Sequence, residues 1–113
     1  MKIRFLYLVS SVLFTMIACK KNSSDYVPTC GSTTPSFASS VNPLIQARCA
    51  TSGCHNSTTK ADGVDLSTYA LIVTHKEHIK SEVASGGMPE GSSLTSAQKD
   101  SMLCWINAGA PNN

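Results

Sequence analysis

Apolar and polar positions divide the chain into three stretches of different character. From Phe5 to Ala18 the run is mostly apolar and follows Lys2 and Arg4. A charged start before a short apolar run is the pattern of a secretory leader, and the run is too short and wrongly flanked for a membrane-spanning helix. From Cys19 to about Ser36 the chain is rich in Ser, Thr, Asn and Gly, carries Pro28 and Pro35 and lacks apolar periodicity, which predicts a flexible tether. Beyond Ser36 apolar positions recur at helical spacing, and no alternating strand pattern is present.

Local signals place the helices. Asn42 suits an N-cap with Pro43 at the first helical position, leading through Leu44 and Ile45 to Cys49, and an earlier start near Phe37 stays open. A second helix is predicted to begin after Asp65 or Ser67, with Leu66, Tyr69, Ile72 and Val73 as its apolar stripe. A third covers about Lys76 to Ala84 and stops at Gly86-Gly87. In the last, Thr95 and Gln98 form a capping box, Met102, Leu103, Trp105 and Ile106 face inward, and Gly109 with Pro111 ends the helix. The expected organisation is a leader at 1–18, a tether at 19–36 and a small all-α domain of three to four helices at 37–113. A core of that length is marginal and commonly needs a staple or a cofactor.

Charge and the end of the leader sharpen the picture. Nine Lys and Arg face seven Asp and Glu, and loss of Lys2 and Arg4 with the leader leaves seven against seven. No basic patch remains to grip phosphates, so a nucleic-acid role is excluded. Met16-Ile17-Ala18-Cys19 resembles a bacterial lipobox, although Met16 stands where Leu is usual. On that reading Cys19 carries lipid, more than the two chains needed for stable anchoring, and Lys20-Lys21 can face lipid headgroups. The alternative is an uncleaved membrane anchor; either way the domain lies outside the cytoplasm, in the cell envelope.

The candidate chemistry is concentrated in Cys49-Ala50-Thr51-Ser52-Gly53-Cys54-His55. Two thiols followed at once by an imidazole is the arrangement that fastens haem covalently, the sulfurs adding to the porphyrin vinyl groups and the histidine becoming the proximal iron ligand. The usual spacer is two residues and here it is four, with small Ser52 and Gly53 able to bulge. Two other arrangements remain open at this point: a Cys49–Cys54 disulfide beside a surface histidine, or a zinc site, which wants four Cys or His ligands. If Cys19 is lipidated and Cys49 and Cys54 hold haem, Cys30 and Cys104 are left to pair in an oxidising compartment. A second disulfide between Cys49 and Cys54 gives an equally even count, so parity does not discriminate.

A haem iron of this kind needs a sixth ligand. Met88, in Gly86-Gly87-Met88-Pro89, sits on a loop that glycine and proline would brace, whereas Met102 reads as core packing. His75 and His78 fall in a polar stretch with Lys76, Glu77 and Lys80, so a solvated helix face is the simpler reading for both. Trp105 reads as a core residue, with packing at a porphyrin edge as its functional alternative. No nucleophile-base pair, paired carboxylate or phosphate loop is present, and Ser81 and Ser92 read as surface or capping residues.

The order Val41-Asn42-Pro43-Leu44-Ile45, Cys49 to His55, Asp65-Leu66-Ser67-Thr68-Tyr69, Gly87-Met88-Pro89 and Trp105-Ile106-Asn107-Ala108-Gly109-Ala110 resembles the small cytochrome c domains of lipoproteins from Bacteroidota and related bacteria. Four-residue spacers occur among c-type cytochromes. The resemblance covers almost all of the chain beyond the tether. It implies a cytochrome c-like fold around haem c, with Cys49 and Cys54 as attachment sites, His55 as proximal ligand and Met88 as distal ligand. With both axial positions filled, the expected activity is one-electron transfer, not enzymatic catalysis, unless Met88 leaves the iron as in a sensor or peroxidase. Expected partners are periplasmic or membrane redox proteins met by a monomer. A disulfide-stapled, non-redox lipoprotein that binds a partner or sugar is the alternative from another class.

Overall fold

In the computed structural model, which describes residues 25–113, regular structure is helical throughout, with no strand among the described residues. The fold class is therefore all-α. The leader, the lipobox and Cys19 lie outside the described residues, among which no helix is long and apolar enough to cross a membrane.

The first helical stretch begins before its expected cap. A wide π-helical turn, Phe37–Val41, runs directly into α1, Asn42–Arg48. Ser36 is the cap, its Oγ accepting the Ser39 N–H, while Asn42 is already helical at φ −61°, ψ −48° and its Oδ1 accepts from Gln46 Nε2. The reason is Pro43. Proline has no N–H for the carbonyl four residues back, and its ring crowds that carbonyl. A turn widened to i→i−5 spacing, with Val41 N–H on Ser36 O and Asn42 N–H on Phe37 O, makes room.

The remaining helices are short and closely joined. Thr68 caps α2, Tyr69–Thr74, by accepting the Leu71 N–H, so Leu66 lies before the helix and not on its stripe. It is held there because the Asp65 carboxylate accepts the Ser67 N–H at 2.9 Å, a local turn that competes with helix. His75 alone separates α2 from α3, Lys76–Ser85, which stops at Gly86 in the left-handed region at φ +75°. The Thr95–Gln98 capping box opens α4, Ser96–Asn107, with both of its reciprocal bonds formed.

The core lies between α4 and the first helical stretch. Met102, Leu103, Trp105 and Ile106 bury one side of α4 against Phe37, Val41 and Ile45, with Ile72, Ile79 and Val83 supplied by α2 and α3. Trp105 is fully buried and stacks on Phe37 with centroids 5.3 Å apart, and Tyr69 meets the same Phe37 ring edge-on at 4.9 Å. Such pairs contribute about 0.5–1.5 kcal/mol each beyond burial. Their polar tips are satisfied: Trp105 Nε1 donates to Pro111 O at 2.8 Å and Tyr69 OH to Ala110 O at 2.9 Å.

Part of the segment read as a tether is fastened to this core. Tyr26 N–H donates to Ala84 O at 2.8 Å, Tyr26 OH and Thr29 N–H both donate to Asp100 Oδ1, and Cys30 is disulfide-bonded to Cys104 of α4. The Cα atoms of that bond are 5.5 Å apart and it spans 74 residues. Closing so long a loop restricts the unfolded chain, so Cys30→Ser with Cys104→Ser should lower stability by about 2–5 kcal/mol in urea denaturation. Reductant should shift the native protein's midpoint in the same direction and leave that of the double variant where it was.

Candidate functional site

The Cys49–His55 segment leaves α1 at its C-terminal end. Cys49 and Ala50 both give their N–H to Ile45 O, after which the chain turns away and the His55 N–H returns to Cys49 O at 3.1 Å. Between them the four spacer residues bulge in a turn, with Cys54 N–H on Thr51 O. Gly53 sits at φ +81°, a conformation that glycine adopts without steric cost, and its N–H donates to Thr59 Oγ1. Ala61 N–H on Cys54 O and Leu66 N–H on His55 O tie the segment to the following turn. Hydrogen bonds from Ser67, with Lys60 Nζ at 3.7 Å, hold the Asp65 carboxyl below its ordinary range. Lys60 and Asp62, non-glycine residues at φ +46° and +54°, hold this turn in a left-handed conformation that costs about 1–2 kcal/mol per residue. Backbone strain of this kind concentrates at functional sites.

The imidazole of His55 is half-buried, and its Nδ1 lies 3.3 Å from Val64 O. A carbonyl only accepts, so this contact assigns the Nδ1–H tautomer to the neutral ring and leaves Nε2 as its acceptor nitrogen. This carbonyl-oriented tautomer is the one that metal-ligating histidines adopt.

Cys49 and Cys54 are both free thiols, so the disulfide between them considered from the sequence is absent. Their surroundings differ: Cys54 is exposed, whereas burial pushes the Cys49 thiol up to about 11 against the pull of Arg48.

Met88 reaches the same place from the α3–α4 connection. Beyond Gly86, the N–H groups of Gly87 and Met88 both donate to Glu82 O, turning the chain back across the end of α3. Met88 and Pro89 then share a cleft of about 340 Å³ with Cys49, Cys54 and His55. Arg48, Asp62 and Glu90 supply its charged walls. The Arg48 guanidinium also spans the cleft's edge, donating to Ser93 O at 3.1 Å and Ser92 Oγ at 3.3 Å, and so ties α1 to the Met88 loop.

His75, His78 and Trp105 do not line this cleft, and Met102 is fully buried in the core. Among the described residues no three His, Cys, Asp or Glu side chains gather as a metal site, so nothing resembles the four-ligand array that tetrahedral zinc requires. The residues the cleft does bring together are one imidazole nitrogen, one thioether and two thiols.

No known protein family, curated protein or solved structure matches the chain. The geometry of the site therefore carries the functional argument by itself.

Four contributors to the site escape sequence reasoning. The Val64 carbonyl that orients His55 is main chain and leaves no side-chain signal. Arg48, a cation in the last turn of α1, looks like an ordinary complement to the helix dipole, and its bonds to residues 92 and 93 depend on tertiary structure. Asp62 and Glu90 line the cleft without belonging to any motif.

The contrast between the two thiols is testable in the protein without added cofactor. Iodoacetamide should modify Cys54 first at neutral pH, because a buried thiol that titrates near 11 offers little thiolate there. The Cys49 rate should climb with pH towards 11, as followed by peptide mapping. Cys30 and Cys104, bonded to each other, should stay unmodified until reductant is added.

Proposed function

We propose that the protein is a small c-type cytochrome, a one-electron carrier in which Cys49 and Cys54 attach haem c and His55 and Met88 are the axial ligands. The observation that carries this reading is the arrival of Met88, from a separate loop, in the cleft already lined by Cys49, Cys54 and His55. Bound there, haem c would supply a one-electron iron couple. The Val64 carbonyl beside Nδ1 supports this reading, because it leaves Nε2 as the nitrogen that would ligate. As a ligand, the Met88 thioether would favour reduced iron and raise the potential above that of a bis-histidine site. Two protein ligands leave no position for substrate, which suits a carrier better than an enzyme.

The rival reading, a stapled non-redox module, needs only disulfides, and the Cys30–Cys104 bond would serve it equally well. It gives no reason for Cys49 and Cys54 to remain unjoined or for the His55 ring to be oriented. The leader and lipobox of the sequence would place the carrier on a lipid anchor at Cys19, in the cell envelope. Its partners would be periplasmic or membrane redox proteins, met as a monomer through a small transient interface, below about 1,200 Å².

Expressed with a c-type maturation system, the protein should give a pyridine haemochrome and keep its colour on a denaturing gel, and Cys54→Ser should reduce or prevent double attachment. A colourless product refutes the assignment. In the oxidised protein a weak sulfur-to-iron band at the red end of the spectrum should vanish in Met88→Ala, which should also gain cyanide affinity and lose potential. Met102→Leu, a near-isosteric core swap costing less than about 1.5 kcal/mol, should change none of these. If Met88→Ala keeps the wild-type spectrum while His75→Ala or His78→Ala changes it, the distal ligand is that histidine.

A further inference from the structure

The loop that carries Met88 joins α3 to α4, and one residue outside it touches both of its stems. Tyr26 gives its backbone N–H to Ala84 O at 2.8 Å, at the end of α3. Its hydroxyl reaches the start of α4, donating to Asp100 Oδ1 at 2.8 Å with Ser96 O at 3.3 Å. Lys99 of α4 lies over the same ring, 5.0 Å from its centroid. The segment bearing Tyr26 is itself locked to α4, through Thr29 N–H on Asp100 Oδ1 at 2.9 Å and through the Cys30–Cys104 bond.

We propose that Tyr26 is a positioning residue for Met88: by bridging Ala84 and Asp100 it clamps the two stems of the loop between α3 and α4 and keeps the thioether in the cleft. The inference rests on the reading of Met88 as an iron ligand. The loop's other braces act within it or on its far side, where Glu82 O accepts from Gly87 and Met88 and Arg48 donates to residues 92 and 93. The two helices also pack on one another through the core, and Tyr26 adds a hydrogen-bonded link between the stems beside the loop, so its loss loosens the ends and leaves those inner bonds to hold a loop with less firmly fixed supports. A thioether is a weak and replaceable ligand, and its lifetime on the iron follows how often the loop opens. The segment read from the sequence as a tether thereby bears on Met88, although Tyr26 does not line the cleft.

The test compares Tyr26→Ala and Tyr26→Phe with Tyr69→Phe, which removes a hydrogen bond to Ala110 O away from the cleft. Two quantities are read: the rate of cyanide binding to the oxidised haem protein, and amide hydrogen exchange at Gly87 and Met88 in the haem-free protein. Loss of a charge-assisted hydrogen bond at a loop stem should raise both by about tenfold or more in Tyr26→Ala. Both variants keep the main-chain N–H on Ala84 O and lose the hydroxyl; Tyr26→Phe also keeps the ring, so it should fall between Tyr26→Ala and wild type. Tyr69→Phe should lower the denaturation midpoint and change neither rate. The proposal is overturned if Tyr26→Ala behaves like Tyr69→Phe, or if exchange accelerates while cyanide binding to the haem protein does not. If the protein gives no haemochrome, the cytochrome reading has failed, and exchange at Gly87 and Met88 alone decides the clamp: faster exchange upholds it and unchanged exchange overturns it.

Discussion

Trp105 is buried completely, stacks on Phe37 and gives its indole N–H to Pro111, and through these contacts the last helix is held against the first helical stretch. The position of the site follows from that packing. The first stretch runs from Phe37 to Arg48 without interruption and delivers Cys49 at its end. The last helix begins at Ser96 and so fixes where the connection carrying Met88 must finish. Tyr69 adds α2 to the same aromatic group through the Phe37 ring, while Asn113 receives the N–H groups of Phe37 and Ala38. In a domain this small, where stability is of order 5–15 kcal/mol, a few aromatic contacts of this kind account for a substantial share.

The two halves of the site are assembled differently. The stretch from Cys49 to Leu66 is closed by its own hydrogen bonds, each between residues near in sequence, and it presents both thiols and the imidazole as a unit. Met88 belongs to another unit, the α3–α4 connection, and the Arg48 guanidinium joins the two across the edge of the cleft. A local half with a tertiary counterpart lets the Met88 loop move without dismantling the Cys49–His55 turn. On the proposed reading, that division would suit a proximal histidine that stays in place and a thioether that is open to regulation.

What could be read from the sequence was whatever has a local cause. The Thr95–Gln98 box and the stop at Gly86 are short-range devices, and both are where the spacing predicts. The apolar face of the last helix, from Met102 to Ile106, is legible because it obeys a period. At Asn42 the local signals leave two starts open, and the earlier one near Phe37 holds because the wide turn before Pro43 lets the helix run through. Leu66 fits the apolar spacing of α2, yet the Asp65–Ser67 turn holds it out of the helix. The attachment of residues 25–30 had no chance of appearing in a periodicity. It depends on single hydrogen bonds from Tyr26 and Thr29 to a carboxylate more than seventy positions away, and on one sulfur bond. The cleft is legible in its Cys, His and Met members, each of which belongs to a motif, and illegible in Arg48 and the Val64 carbonyl, which matter only through where the fold puts them.

The Cys30–Cys104 bond makes the chain between those residues a covalent ring. α1 to α3, the greater part of α4, the Cys49–His55 loop and the Met88 loop all lie inside that ring. A single cut by a protease in any exposed turn of the ring would open it without dividing the molecule, because the two new ends remain joined through sulfur. Rejoining of the severed pieces is then unimolecular, at an effective concentration of order millimolar set by the tether between them. A nicked chain thereby keeps its parts in register, so backbone scission and loss of structure become separate events.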